Sequence, residues 1–152
     1  LLVECTCRAS PDDIPPLWVT EGALMAEEHV PEYLKEHALR GDLLLFHLPQ
    51  HLAELRQALG PTQQRRGLPL VKQENLSVVL TLLRAGGHIA EHDTAGVTLV
   101  HVLEGKVRLR AGGNEAELGP GDLASIGPGV AHDLEAIEDA AFTVTVALAG
   151  GR

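Results

Sequence analysis

The chain of 152 residues carries 21 Asp and Glu against 12 Lys and Arg, a formal charge of −9, with 45% hydrophobic and 22% charged residues. These are the proportions of an ordinary globular domain large enough for a real core, and the acidic balance argues against a phosphate-binding surface, so no nucleic-acid partner is expected. No apolar run approaches bilayer length and the start shows no basic region followed by a long apolar one, so no membrane partner is expected and the expected location is cytoplasmic.

Residues 1–24, with Pro11, Pro15 and Pro16, show no convincing periodicity and are expected to form an irregular tail, with Met25, the only methionine, as a candidate natural start. Cys5 and Cys7 are one residue apart, too close for an unstrained bridge and too few for a structural zinc site, and are read as incidental. Residues 25–67 are expected to be an arm of helix and strand packed on the domain proper, which spans 68–149. Within the arm, Pro31 to Leu39 predicts a short helix, with Gly41 just past its end. Leu43-Leu44-Leu45-Phe46 predicts a buried strand. Pro49 opens a second helix with Leu52, Leu55 and Leu59 on one face, and Gly60-Pro61 stops it. Such an amphipathic helix needs something to cover, either the outside of the domain or a partner subunit. Residues 61–67 read as a polar link, with Arg65-Arg66 as the only basic cluster.

From Leu68 the pattern turns to strands. Asn75 to Leu83 is rich in Val, Leu and Thr, Val97 to Leu103 follows, and Lys106 to Arg110 alternates cleanly into a Gly112-Gly113-Asn114 turn. Glu115 to Leu118, Leu123 to Ile126, Ala131 to Ile137 and Phe142 to Leu148 complete a set of short strands with turn signals between them, the pattern of an all-β sandwich or barrel, and a jelly roll fits. In Val97 to Leu103 both faces are apolar. If Thr98, Val100 and Val102 face inward, then Val97, Leu99, His101 and Leu103 face outward and also need cover, which a second copy of the chain in a two-fold homodimer would supply.

The stretch His92-Asp93-Thr94-Ala95-Gly96-Val97-Thr98-Leu99-Val100-His101-Val102-Leu103-Glu104-Gly105 resembles the first motif of the cupins, in which two histidines and a glutamate precede a glycine at set distances. Aligned on Gly105, His92 keeps the first ligand position, while Thr94 and Thr98 stand where the second histidine and the glutamate would be. Gly121-Asp122-Leu123-Ala124-Ser125-Ile126-Gly127-Pro128-Gly129-Val130-Ala131-His132 resembles the second motif, with His132 at its last histidine and the usual proline displaced to 128. The resemblance covers about residues 68–148 and is to small single-domain bacterial cupins of the cupin 2 type. It implies an all-β jelly-roll barrel with one or two short N-terminal helices, and dimers that form through sheet faces and exchanged N-terminal strands.

It also implies a pocket edged by His92, Thr94, Thr98 and His132, in which two of four metal-ligand positions remain. A divalent iron, manganese, nickel or zinc ion is ordinarily held by three or four imidazole or carboxylate ligands, and two imidazoles with two hydroxyls hold one poorly. His92 and His132 are therefore read as pocket histidines hydrogen-bonded to Thr94, Thr98 or water, or as weak ligands to a metal completed by waters. Glu91 and Asp93 should point outward. Among the other histidines, His29, His37, His47 and His51 are read as solvated, His101 as facing away from the pocket, and His88 as sharing a face with His92 four residues on.

Two functions follow from these residues, with no catalytic residue assignable. One is a binding module holding a small organic molecule in a mostly apolar pocket. The other is a metal-dependent enzyme, such as an oxygenase or isomerase, with water or substrate in the missing positions. There is no Ser nucleophile elbow, phosphate loop or zinc-protease pair.

Overall fold

A computed structural model describes residues 42–149. The tail, the helix expected at Pro31 to Leu39, the two cysteines, His29 and His37 lie outside the described residues. Among those described there is one helix, α1 (Leu48–Ala58), followed by nine strands: β1 (Arg65–Lys72), β2 (Leu76–Leu83), β3 (His88–His92), β4 (Val97–Glu104), β5 (Val107–Ala111), β6 (Asn114–Leu118), β7 (Leu123–Ile126), β8 (His132–Ala136) and β9 (Ala140–Ala147). They form an antiparallel five-stranded sheet in the order β1-β2-β9-β4-β7 and a four-stranded sheet in the order β3-β8-β5-β6. Strands β2 to β9 supply four to each sheet in jelly-roll order, and β1 extends one edge.

Alternation along β4 decides what lies between the sheets. Thr98, Val100 and Val102 are buried, while Val97 and His101 are exposed on the other face, as a half-buried strand requires. The interior core joins Val100, Val102, Val107, Leu109, Leu134 and Phe142, with Val102 and Phe142 fully buried. Burying each such side chain contributes about 1.5–3 kcal/mol. A second core lies outside the five-stranded sheet, where Leu52 and Leu55 of α1 pack on Leu70, Leu80, Leu82 and Ala141. This explains why Leu80 to Leu83 of β2 are all buried: one face looks into the barrel and the other lies against α1.

Three expectations change. Leu43-Leu44-Leu45-Phe46 is not a buried strand: Leu43 and Leu45 are exposed, and only Leu44 makes an isolated bridge. An apolar run of four does not by itself secure a neighbouring strand to pair with. The strands begin at Arg65 rather than Leu68: Arg65 and Arg66 pair opposite Leu83 and Leu82, and on the face under α1 the Arg66 guanidinium donates to the Ala58 carbonyl at the end of the helix, 2.7 Å away. His51 is buried rather than solvated. Docking α1 on the sheet covers it, and its Nδ1 lies 3.3 Å from Glu54 Oε2, beside the Phe46 ring. His47 is exposed. No helix among the described residues is long and apolar enough to cross a membrane.

Gly105, which ends β4, has φ of 75°, and a Cβ there would sit 2.1 Å from the Asp139 carbonyl oxygen. Both the left-handed backbone and the contact exclude a side chain. Gly105→Ala is expected to cost about 1–3 kcal/mol in urea unfolding, and an unchanged midpoint would show that the turn can give way.

Candidate functional site

Strand β3 carries the irregularity on which the site depends. Its pairing with β8 runs Ile89 opposite Leu134 and then His92 opposite His132, so three steps along β3 match two along β8. The extra residue is a bulge. Ile89 and His92 consequently both line the interior cavity although they are three apart, while His88 is exposed. His88 and His92 do not share a face, contrary to the expectation from an unbroken strand. The bulge also sets the two imidazoles directly across from one another, with ring centroids 4.4 Å apart and planes inclined by 57°.

Each ring is held by a carbonyl two residues before it in the chain. His92 Nδ1 lies 2.9 Å from the Ala90 carbonyl oxygen and His132 Nδ1 lies 2.8 Å from that of Val130. A carbonyl only accepts, so in both rings Nδ1 carries the hydrogen, and in a neutral ring Nε2 is then left with its lone pair. The sequence had paired the rings with Thr94, Thr98 or water; neither ring bonds to either threonine. The threonines bond to each other instead: their hydroxyl oxygens are 2.7 Å apart, and Thr94 Oγ1 donates to the Gly96 carbonyl at 2.9 Å. Thr94 has a single proton and gives it to Gly96, so Thr98 must donate to Thr94. Both hydroxyls are buried, and the chain Thr98 to Thr94 to Gly96 fastens the β3–β4 loop to β4. A Cβ on Gly96 would fall 2.2 Å from the Ala147 carbonyl oxygen, so the loop crosses β9 closely at this point. The amide of Gly129 donates to the Thr94 carbonyl at 2.8 Å, joining this loop to the one before β8.

His92, Thr94, Thr98 and His132 all line one cavity of about 40 Å³, completed by Ser77 of β2 and an apolar wall that includes Ile89, Val100, Leu109, Leu134, Val144 and Val146. At roughly 10–15 Å³ for each water, it accommodates about three waters or a ligand of a few heavy atoms. Ser77, Val144 and Val146 are contributions that the sequence reading missed. Their signal was the alternation along β2 and β9, legible once those strands pair in register. Glu91 and Asp93 are exposed, and His101 faces outward.

The donor set falls short of the metal centre that the two motifs imply. Beside the two imidazoles the cavity offers only hydroxyls, which are weak ligands when neutral, and among the described residues no group of three or more His, Cys, Asp or Glu side chains could hold a metal ion. The charged groups instead cover the outer face of the four-stranded sheet, where Arg108 and Arg110 of β5 lie between Glu115 and Glu117 of β6 and Asp133 and Glu135 of β8. There the pKa of Arg110 is raised, first by its hydrogen bond to Glu115 and then by that to Asp133.

Comparison with known proteins gives a consistent result. A family model described as a cupin domain matches residues 79–148. No curated protein matches the sequence. Among solved structures, a conserved protein of unknown function from Streptococcus pyogenes is similar at 19% identity and a TM-score of 0.59, over 75% of this chain and 94% of that one. A cupin superfamily protein from Desulfitobacterium hafniense has 15% identity and a TM-score of 0.57, over 74% and 96%. An RmlC-like cupin from Shewanella frigidimarina has 19% identity and a TM-score of 0.55, over 60% and 82%. At these identities the likeness speaks for the fold.

The direction of the threonine chain can be checked by stability. Thr94→Val strands the Gly96 acceptor and the Thr98 donor together and is expected to cost about 1–3 kcal/mol, whereas Thr98→Val leaves the Thr94 bond to Gly96 in place and costs less. Equal losses in chemical denaturation, or the reverse order, would contradict this direction.

Proposed function

We propose that this chain, whose residues 79–148 match a cupin domain model, is a cytoplasmic bacterial cupin of the cupin 2 type that serves as a binding module, its barrel pocket holding a small organic molecule. The observation that carries this is the composition of the cavity: a mostly apolar wall with a few polar groups gathered at one place, the usual make-up of a small-molecule site. His92, His132, Thr94 and Thr98 would orient the ligand and the valines and leucines would enclose it.

A metal-dependent enzyme, an oxygenase or isomerase, draws support from one observation. A histidine that ligates a metal usually gives its other ring hydrogen to a carbonyl or carboxylate, and both His92 and His132 are braced in that way. The third ligand is what this alternative lacks, because among the described residues no carboxylate or third imidazole lines the cavity and neutral hydroxyls are weak ligands to such an ion. We therefore favour the binding module.

A homodimer is part of the same proposal. Helix α1 covers only part of the outer face of the five-stranded sheet, and Val97 and Leu123 remain exposed on that sheet, with His101 paired opposite Leu123 on the outer face. A second copy related by two-fold symmetry would bury this strip.

Native mass spectrometry of untagged protein tests these points together. The expected spectrum at micromolar concentration is a dimer with well under one metal ion per chain. Metal near one per chain that disappears in the His92→Ala, His132→Ala double variant would favour the enzyme, and monomer alone would remove the dimer.

A further inference from the structure

Resting on the reading of the barrel cavity as a binding pocket, the strand registers fix which end of a ligand enters first. Across the five-stranded sheet, Ser77, Val146 and Thr98 stand in one row, Val79, Val144 and Val100 in the next, and Thr81, Phe142 and Val102 in the third. The facing sheet has matching rows: His92 with His132, then Ile89, Leu134 and Leu109, then Ala136 with Val107. The loop that carries Thr94 joins His92 at the end of β3 to the start of β4, so both sheets run through these rows from the same end of the barrel. Successive levels are two residues apart along the strands, about 7 Å.

The three levels differ in character. Every polar residue of the cavity belongs to the first level or to the loop beside it, and Ser77 and His92 are only partly buried there, so water reaches this end. The second level is hydrocarbon alone, and all six of its side chains line the cavity. At the third, Val102, Val107 and Phe142 are fully buried, and no residue of that level, Thr81 included, lines the cavity. The space is therefore a short blind recess with a polar end and a carbon interior. A polar group carried to the second level would lose its water and meet only hydrocarbon, which is costly, whereas an alkyl group there is stabilised by its removal from water.

We infer that the pocket takes the short alkyl end of an amphiphilic molecule, with the hydrocarbon inward at the level of Val79, Val100, Leu109 and Leu134 and the polar group left at the level of Ser77, His92 and His132. The space of about 40 Å³ limits the enclosed part to a few heavy atoms. The polar group is free to donate or to accept, since water completes its partners at the open end. The alkyl end is what the protein selects.

Propan-1-ol and ethane-1,2-diol form the decisive pair, because they share one heavy-atom outline and the terminal methyl of the first is a hydroxyl in the second. Each is titrated into the full chain, and binding is read from the amide ¹H–¹⁵N correlation spectrum. Saturable shifts confined to residues around the cavity are expected with propan-1-ol, with the diol weaker by about tenfold or more, as a buried hydroxyl without a partner requires. The Val144→Leu variant, whose spectrum reports its own folding, fills the second level and is expected to lose most of the propan-1-ol response. A folded variant that keeps the full response would overturn the placement of the alkyl end. The diol binding as tightly as propan-1-ol would overturn the apolar inner end while leaving the pocket in place. No response at the cavity to either molecule would overturn the alkyl class and the binding pocket together.

Discussion

The pairing of His92 with His132 across β3 and β8 is the constraint from which the rest of the site follows. One extra residue between Ile89 and His92 rotates the end of β3 so that the imidazole enters the barrel. The main chain then supplies the orientation, since each ring hydrogen is drawn to a carbonyl two residues upstream on its own chain. Without the bulge His92 would follow the exposed face of Ala90, and the cavity would keep one histidine.

Much of the architecture was legible in the sequence because strands announce themselves by alternation. Thr98, Val100 and Val102 were expected inward and are buried, and the glycine turn at Gly112-Gly113 separates β5 from β6 where composition placed it. The four residues around the cavity could be named because the resemblance to the two cupin motifs marks their positions. Features that depend on tertiary contact were not legible. His51 is buried only because α1 docks on the sheet, and the spacing of histidines along the helix carries no record of that. The bulge in β3 falls at Ala90 and Glu91, where neither glycine nor proline marks it. The carbonyl partners of the two rings depend on the backbone path, so residue identity alone pointed to the nearby threonines or water instead.

Replacing two ligand positions by threonine does more than remove ligands. Thr94 and Thr98 convert a place where charge would be held into a mechanical fastening of the loop between β3 and β4, close to where Gly96 passes under Ala147. Polar groups buried inside a barrel need partners, and here they find them in one another and in a main-chain carbonyl. The fastening and the histidine braces together account for the hydrogens of these four groups. The outer faces follow a different logic: one carries arginines between carboxylates, and the other is partly covered by α1.

The central claim concerns the hydrogens on two imidazoles, and a long-range ¹H–¹⁵N correlation spectrum of the histidine side chains at pH 8 observes them directly. The carbonyl braces require both His92 and His132 to be Nδ1–H tautomers, with Nε2 showing the shift of an unprotonated nitrogen. A spectrum in which either ring carries its hydrogen on Nε2 would contradict that assignment.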